Sequence, residues 1–362
     1  MRLSPTESQK FNRPGELALL ARIRNRAAKT PASSLRLGIG DDCALLRLRS
    51  SEDLAVTTDL SIAGRHFRLD WHTPEAIGHR TLARGLSDLA AMGARPLAAF
   101  LSLGLPPDLV QNPAKRERKP SREAWIERFL DGFLALAEAH KTPLAGGDLA
   151  ESPIPVADVV LTGAVPRGKA LLRSGARPGD LLYVTGSLGG AAAGLAQMEQ
   201  LAKAAQRSKG TRQNRPARPP QPPRIPSKLE AQLAPHLFPV PRIAQGLWLA
   251  QNSMATSAID ISDGLSTDLA HLCEESGVAA EVDASALPVF SGATQAQALH
   301  GGEDYELLFT APPSRRVPRL IAGVPVASIG RILRMRNAMP FVTIISERGL
   351  LPLTPQGWEH FT

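Results

Sequence analysis

Six acidic positions sit where short apolar runs give way to small residues. They are Gly40-Asp41-Asp42, Thr57-Thr58-Asp59, Ser87-Asp88, Gly147-Asp148, Asp260-Ile261-Ser262-Asp263-Gly264 and Gly302-Glu303-Asp304. A carboxylate beside a buried run is expensive to leave unpaired. One such acid can be a helix cap or a turn former; six in one chain suggest a shared task. Carboxylate oxygens with no Cys or His at ligand spacing suit a hard cation, Mg²⁺ above all. Mg²⁺ borrows phosphate oxygens to complete its shell, so these acids point to a phosphorylated substrate. Thr185-Gly186-Ser187-Leu188-Gly189-Gly190 lies between an expected strand and an expected helix, where free backbone N–H groups can bind an anion. Residues 163–170, GAVPRGKA, nearly spell the phosphate-binding loop G-x-x-x-x-G-K-[ST]. Ala170 replaces the hydroxyl that loop requires, and ALLRSGARPGD is too broken by Gly and Pro to form its helix. Any nucleotide binds another way.

The elements that must position these residues alternate between strand and helix signals. LAVTTD (54–59) reads as a strand running into an acid. Thr73-Pro74-Glu75 opens a helix with a capping hydroxyl, a proline at the first position and an early acid. That helix runs to Gly93, and the strand LAAFLSLGL follows. Ser121 opens a helix whose apolar residues Trp125, Ile126, Phe129, Leu130, Phe133, Leu134 and Leu136 recur with helical period. A strand is expected to end in Gly146-Gly147-Asp148, followed by the strand VADVVLTGAV. Beyond a crossing at Arg167–Asp180 come the strand LLYVTG, the helix SLGGAAAGLAQMEQLA, the helix PRIAQGLWLAQ and the strand SAIDIS. DGLSTDLAHLCEES is a helix stopped by Gly277; AAEVDAS, DYELLFTA and FVTIIS are strands. The mixture in both halves predicts two α/β-type domains, residues 1–165 and 166–362.

Length and composition fit that reading. A chain of 362 residues, 43% hydrophobic and 21% charged, is ordinary for a two-domain globular protein. No apolar run reaches the roughly 18 residues of a membrane span. The opening MRLSPTESQKFNRPGE lacks the apolar stretch of a secretory signal, so a cytoplasmic protein is expected. Cys43 and Cys273 read as two reduced thiols. The net charge of +8 is local. Residues 203–228 hold eight Lys or Arg, six Pro and no acid, which leaves 34 basic against 34 acidic residues elsewhere. This stretch reads as a disordered basic insertion, and Asn112–Pro120 as a smaller basic loop.

GIGDDCALL (38–46), TTDLSIAGRHF (57–67), LARGLSDLAAMGARP (82–96), GGD (146–148), GKALLRSGARPGDLLYVTG (168–186), AIDISDGL (258–265) and GGEDYELLFT (301–310) stand in an order that resembles the thiamine-monophosphate kinase family. The resemblance runs from about Phe11 to Thr362 apart from the two insertions. It implies an aminoimidazole ribonucleotide synthetase-like architecture: an N-terminal α/β dimerisation domain, whose sheet joins that of a second subunit, and a C-terminal α/β sandwich. It implies transfer of the ATP γ-phosphoryl group to thiamine monophosphate. It places Mg²⁺ at Asp42, Thr58, Asp59, Asp88, Asp148 and Asp260, with Asp263 on a further ion and Thr57 assisting. Nucleotide contacts fall at Gly147, Asp148, Arg173 and Ser262, and substrate contacts at His66, Glu303 and Trp358. A phosphate-monoester acceptor, with a second pKa near ~6, is already mostly an anion at neutral pH, so no general base is expected. The obstacle is repulsion between two polyanions. The competing readings are a sister phosphoryl-transfer enzyme, separable by its acceptor, and nucleic-acid binding through 203–228, separable by steep salt dependence. The acids are expected to converge in one cleft.

Overall fold

The computed structural model describes residues 16–28, 30, 33–40, 42–110, 125–208, 222–337, 339–347 and 349–357. The expected start of a helix at Ser121, the loop at 112–120, Asp41 and Trp358 lie outside them. Helix α1 (Glu16–Ala27) leads to a small hairpin of β1 (Leu35–Leu37) and β2 (Leu45–Leu46). Strand β3 (Glu52–Ile62) is longer than the sequence suggests. Helix α2 (Pro74–Ala91) begins as expected, with the Thr73 hydroxyl accepting the Ala76 N–H. Then come β4 (Arg95–Leu105), α3 (Pro107–Val110), α4 (Trp125–Ala139), β5 (Leu144–Glu151) and β6 (Val156–Pro166). Gly146-Gly147-Asp148 therefore lies inside a strand and not at its end.

These strands form a four-stranded sheet in the order β3-β6-β4-β5, with only β4 and β5 parallel. Helices α2 and α4 cover one face, packing Leu82, Leu86, Leu89, Phe129 and Phe133 on Val159 and Leu161. The two helices approach closely through glycines. A Cβ on Gly78 would lie 1.9 Å from the Phe129 carbonyl oxygen, and one on Gly132 would lie 1.9 Å from that of Glu75. The opposite face of β3 stays open, with Leu54, Val56 and Leu60 48%, 57% and 46% exposed.

The second sheet is built from β7 (Leu181–Thr185), β8 (Ser257–Asp260), β9 (Val278–Asp283), β10 (Leu307–Ala311), β11 (Leu320–Ile321), β12 (Val324–Arg334), β13 (Val342–Ser346) and β14 (Gly349–Pro352). Its order is β14-β13-β9-β12-β7-β10-β8, with β11 paired to β12. Among the described residues, five α-helices accompany it: α5 (Gly190–Ser208), α6 (Glu230–Leu237), α7 (Ile243–Gln251), α8 (Leu265–Ser276) and α9 (Gln295–His300). Gly277 caps α8 in the left-handed conformation, φ 64°, as expected. No helix follows 163–170, in keeping with rejection of the phosphate-loop reading. Helix α5 continues to Ser208, so the start of the basic insertion is helical and not disordered. Residues 209–221 lie outside the described set. One apolar cluster runs from α2 through Leu171, Ile243 and Leu249 to Ala258, Leu307 and Phe309, welding the two sheets together along α2.

Candidate active site

Helix α2 lies between the two sheets, and its polar residues Arg80, Arg84 and Asp88 recur at every fourth position. That spacing puts them on one face, turned to β3 and to the C-terminal strand ends. Thr57 Oγ1 donates to Asp88 Oδ2, and Arg84 Nε donates to Asp59 Oδ1 at 2.6 Å. Ser87 Oγ donates to Asp260 Oδ2 at 2.7 Å, joining α2 to the end of β8. Asp88 and Asp260 are close enough to perturb each other. Burial raises the carboxyl of both, and the Asp260 charge raises Asp88 further. The Thr57 and Ser87 hydroxyls and Arg173 pull the other way. Asp59 is pushed up to about 6 because burial outweighs its pair with Arg84, with Asp88 and Glu303 adding to the rise. Burial works against the Arg84 charge, but Tyr305, Asp59 and Glu303 outweigh it and hold Arg84 firmly protonated. Arg84 gains from several acids at once, whereas Asp59 shares one cation with other carboxylates. Thr57, Asp59, Asp88, Asp260 and Arg173 thus form one connected polar group along α2, between the two sheets.

The loop after β8 brings Ser262 and Asp263 to the same place. Asp268, on α8, accepts the backbone N–H groups of Ser262, Asp263 and Gly264 on a single oxygen at 3.0–3.1 Å. Glu303 donates its own N–H to the Ser262 carbonyl at 2.7 Å. The backbone at Glu303 and Tyr305 is left-handed, φ 66° and 51°, a conformation held only where surroundings impose it. Arg80 grips the Glu303 carboxylate with Nη2, at 2.7 and 2.8 Å. Burial would raise that carboxyl, but Arg80 and then Arg84 outweigh it and hold it below its ordinary range. Arg80 Nη1 donates to the His236 carbonyl, and His236 Nε2 meets His72 Nε2 at 2.9 Å. His66 accepts the Ile62 N–H on Nδ1 at 3.1 Å, and its carbonyl faces Arg80. Ser61, His66, Arg80 and Arg84 line a small recess here.

Not every expected residue joins this group. Asp42, Gly147 and Asp148 line a separate cleft of ≈ 450 Å³ at the β5 edge, with Ile39, Phe100 and Leu149. Gly147 has φ 148°, and a Cβ there would lie 1.9 Å from the Leu101 carbonyl oxygen. In register, Asp148 lies beside Ser102, Asp158 and Leu60. Asp59, the neighbour of Leu60, points to the helix face, so Asp148 belongs to the opposite face. The β3 and β5 edges are three strand spacings apart, about 14 Å. Thr58 is exposed on the open face. Within one chain the acids therefore form two groups, which corrects the expectation of a single convergence. Among the described residues, no three His, Cys, Asp or Glu side chains are gathered as a ready-made metal cage.

The Gly-rich turn at 185–190 is also corrected. Its anion is the chain's own Asp304, which accepts the N–H groups of Gly189 at 2.6 Å and Ala191 at 3.0 Å. Arg80, Arg84, His236 and Asp268 were not singled out from the sequence, and Ser87 was named only as the neighbour of Asp88. The four-residue repeat of Arg80, Arg84 and Asp88 was a usable signal for the first two. Pairings such as Ser87 with Asp260, 173 residues apart, had none.

Residues 40–165 match the AIR synthase related protein N-terminal domain, and residues 177–336 the corresponding C-terminal domain. A thiamine-monophosphate kinase from Salmonella typhimurium is 37% identical over 96% of this chain and 98% of its own length. The crystal structure of thiamine-monophosphate kinase from Stenotrophomonas maltophilia K279a is 37% identical, with a TM-score of 0.70 over 91% of this chain and 96% of that one. AaThiL complexed with AMPPCP and TMP is 29% identical, with a TM-score of 0.68 over 98% of this chain and 100% of that one. With both domains matched and near-full-length relatives above 30% identity, the chain belongs to the thiamine-monophosphate kinase family.

Proposed function

We propose that this protein transfers the γ-phosphoryl group of ATP to thiamine monophosphate, giving thiamine diphosphate and ADP. The observation that carries the reading is the set of carboxylates Asp59 and Asp88, half-buried, and Asp260, buried, held together by two hydroxyls and few cations. Family membership and the relative bound to AMPPCP and TMP support it.

Mg²⁺ fits these residues. It takes one or two carboxylates and completes its shell with water and phosphate oxygens, so paired acids suit it better than a full cage would. Asp59, Asp88 and Asp260, with Thr57 and Asp263, would hold ions on one side, and Asp42, Thr58 and Asp148 on the other. Bound there, the metal supplies charge neutralisation between the two phosphates. The chain's own work is orientation. Asp268 fixes the loop carrying Ser262 and Asp263, and Arg80 fixes Glu303 beside the acceptor. Arg173, near Asp88 and Asp260, would meet the nucleotide phosphates, and Gly147 would contact them from the β5 edge. A deprotonated acceptor oxygen leaves no proton for His66 to remove, so His66 serves as a substrate contact.

The reading includes a homodimer of two-domain subunits, divided near residues 165 and 166, working in the cytoplasm. The exposed Leu54, Val56 and Leu60 favour a partner on the open sheet face. A second copy there would bring its β5-edge group toward the polar group along α2. No helix among the described residues is long and apolar enough to cross a membrane. The test is product analysis by chromatography with ATP, Mg²⁺ and thiamine monophosphate, each omitted in turn, beside alternative acceptors. Thiamine diphosphate is expected only in the complete mixture. ADP release that ignores the acceptor would refute the assignment.

A further inference from the structure

The geometry points to Arg84 as a residue that binds the acceptor's phosphate, held on Asp59 until a divalent cation takes that carboxylate. The inference rests on the function proposed above. Two arginines on one face of α2 behave differently. Both terminal nitrogens of Arg80 are engaged, by the His236 carbonyl and ring and by the Glu303 carboxylate, so Arg80 is a strut. Arg84 makes one hydrogen bond among the described residues, from Nε to Asp59 at 2.6 Å. Its Nη1 stops 3.9 Å from Glu303, beyond hydrogen-bond reach. The side chain is only 18% exposed, so this donor pair is largely withdrawn from bulk water. It shares a recess with His66 and Ser61, on the side of the polar group where the acceptor contacts gather.

A guanidinium with two terminal nitrogens to spare matches two oxygens of a phosphate, a geometry that Lys cannot reproduce. Its present partner is one of the carboxylates assigned to the metal. The two cations compete for Asp59, so an ion bound there frees Arg84 for the phosphate arriving beside it. Arg84 also keeps the acid cluster partly neutral before the ion binds. The residue therefore couples metal occupancy to acceptor binding.

Arg84→Met and Arg84→Lys, made in the full chain and checked for folding by circular dichroism, test this. Mn²⁺ binding to nucleotide-free protein, read by electron paramagnetic resonance, is expected to tighten at least about fivefold in Arg84→Met, because Asp59 no longer has a competing cation. The KM for thiamine monophosphate is expected to rise about tenfold or more in Arg84→Met and a few-fold in Arg84→Lys, the loss of a charge-assisted hydrogen bond. The KM for ATP stays within about twofold of wild type in either variant. Unchanged Mn²⁺ affinity in folded Arg84→Met, or an unchanged KM for thiamine monophosphate in Arg84→Lys, would overturn the proposal. Should Arg84→Met fail to fold, the Arg84→Lys arm decides. A wild-type protein that forms no thiamine diphosphate would instead remove the proposed function, and the Mn²⁺ measurement separates the two failures because it needs no turnover.

Discussion

Asp59→Asn, studied without metal, separates the cost of burying this carboxylate from its use. Burial, with Asp88 and Glu303 adding to it, outweighs Arg84 and puts the Asp59 carboxyl at about 6 instead of 3.8. At about 1.4 kcal/mol per tenfold change in proton affinity, that gap is worth about 3 kcal/mol. The folded state holds the proton more tightly than the unfolded chain. Its contribution is therefore most favourable below about pH 4 and is lost as pH rises through about 6. Asn cannot ionise, so the variant should gain on wild type by up to about 3 kcal/mol between about pH 4 and about pH 8. In melting curves with a chelator, this appears as a Tm difference growing by several degrees across that range. Adding Mg²⁺ near pH 8 should raise the Tm of wild type and raise that of the variant less, because a ligand stabilises only the state that binds it. Turnover should fall about a hundredfold or more, since a metal contributes several kcal/mol to the transition state. A Tm difference flat with pH, or turnover within about tenfold of wild type, would refute the reasoning.

Gly132→Ala places a Cβ 1.9 Å from the Glu75 carbonyl oxygen, so α4 must move away from α2. A loss of about 1–3 kcal/mol is expected in urea unfolding, and an unchanged midpoint would contradict the close approach. Val56→Lys puts a charge in the centre of the exposed strip on β3. Sedimentation should show monomers and turnover should drop with them; a variant that remains dimeric would place the interface elsewhere.

Much of the scaffold was legible because its signals are local. The Thr73 cap, the apolar period of α4 and the left-handed stop at Gly277 depend on neighbours within one or two turns, and each appears where the sequence placed it. Strand β12 went unseen because a bulge between Ser328 and Gly330 breaks its alternation. Helix α6 carries Pro235 and follows the basic stretch, which hid it. Asp59, Asp88, Asp148 and Asp260 could be picked out by residue type and flanking motif, together with the chemistry those types permit. Their partners could not. Whether Asp148 shares a face with Asp59 depends on strand register and order. Whether the SLGG turn faces a ligand or Asp304 depends on a loop more than a hundred residues away. Side-chain chemistry is written residue by residue. Distance between charges comes from the packing of two sheets on α2, and electrostatic energy depends on that distance and on the burial that accompanies it.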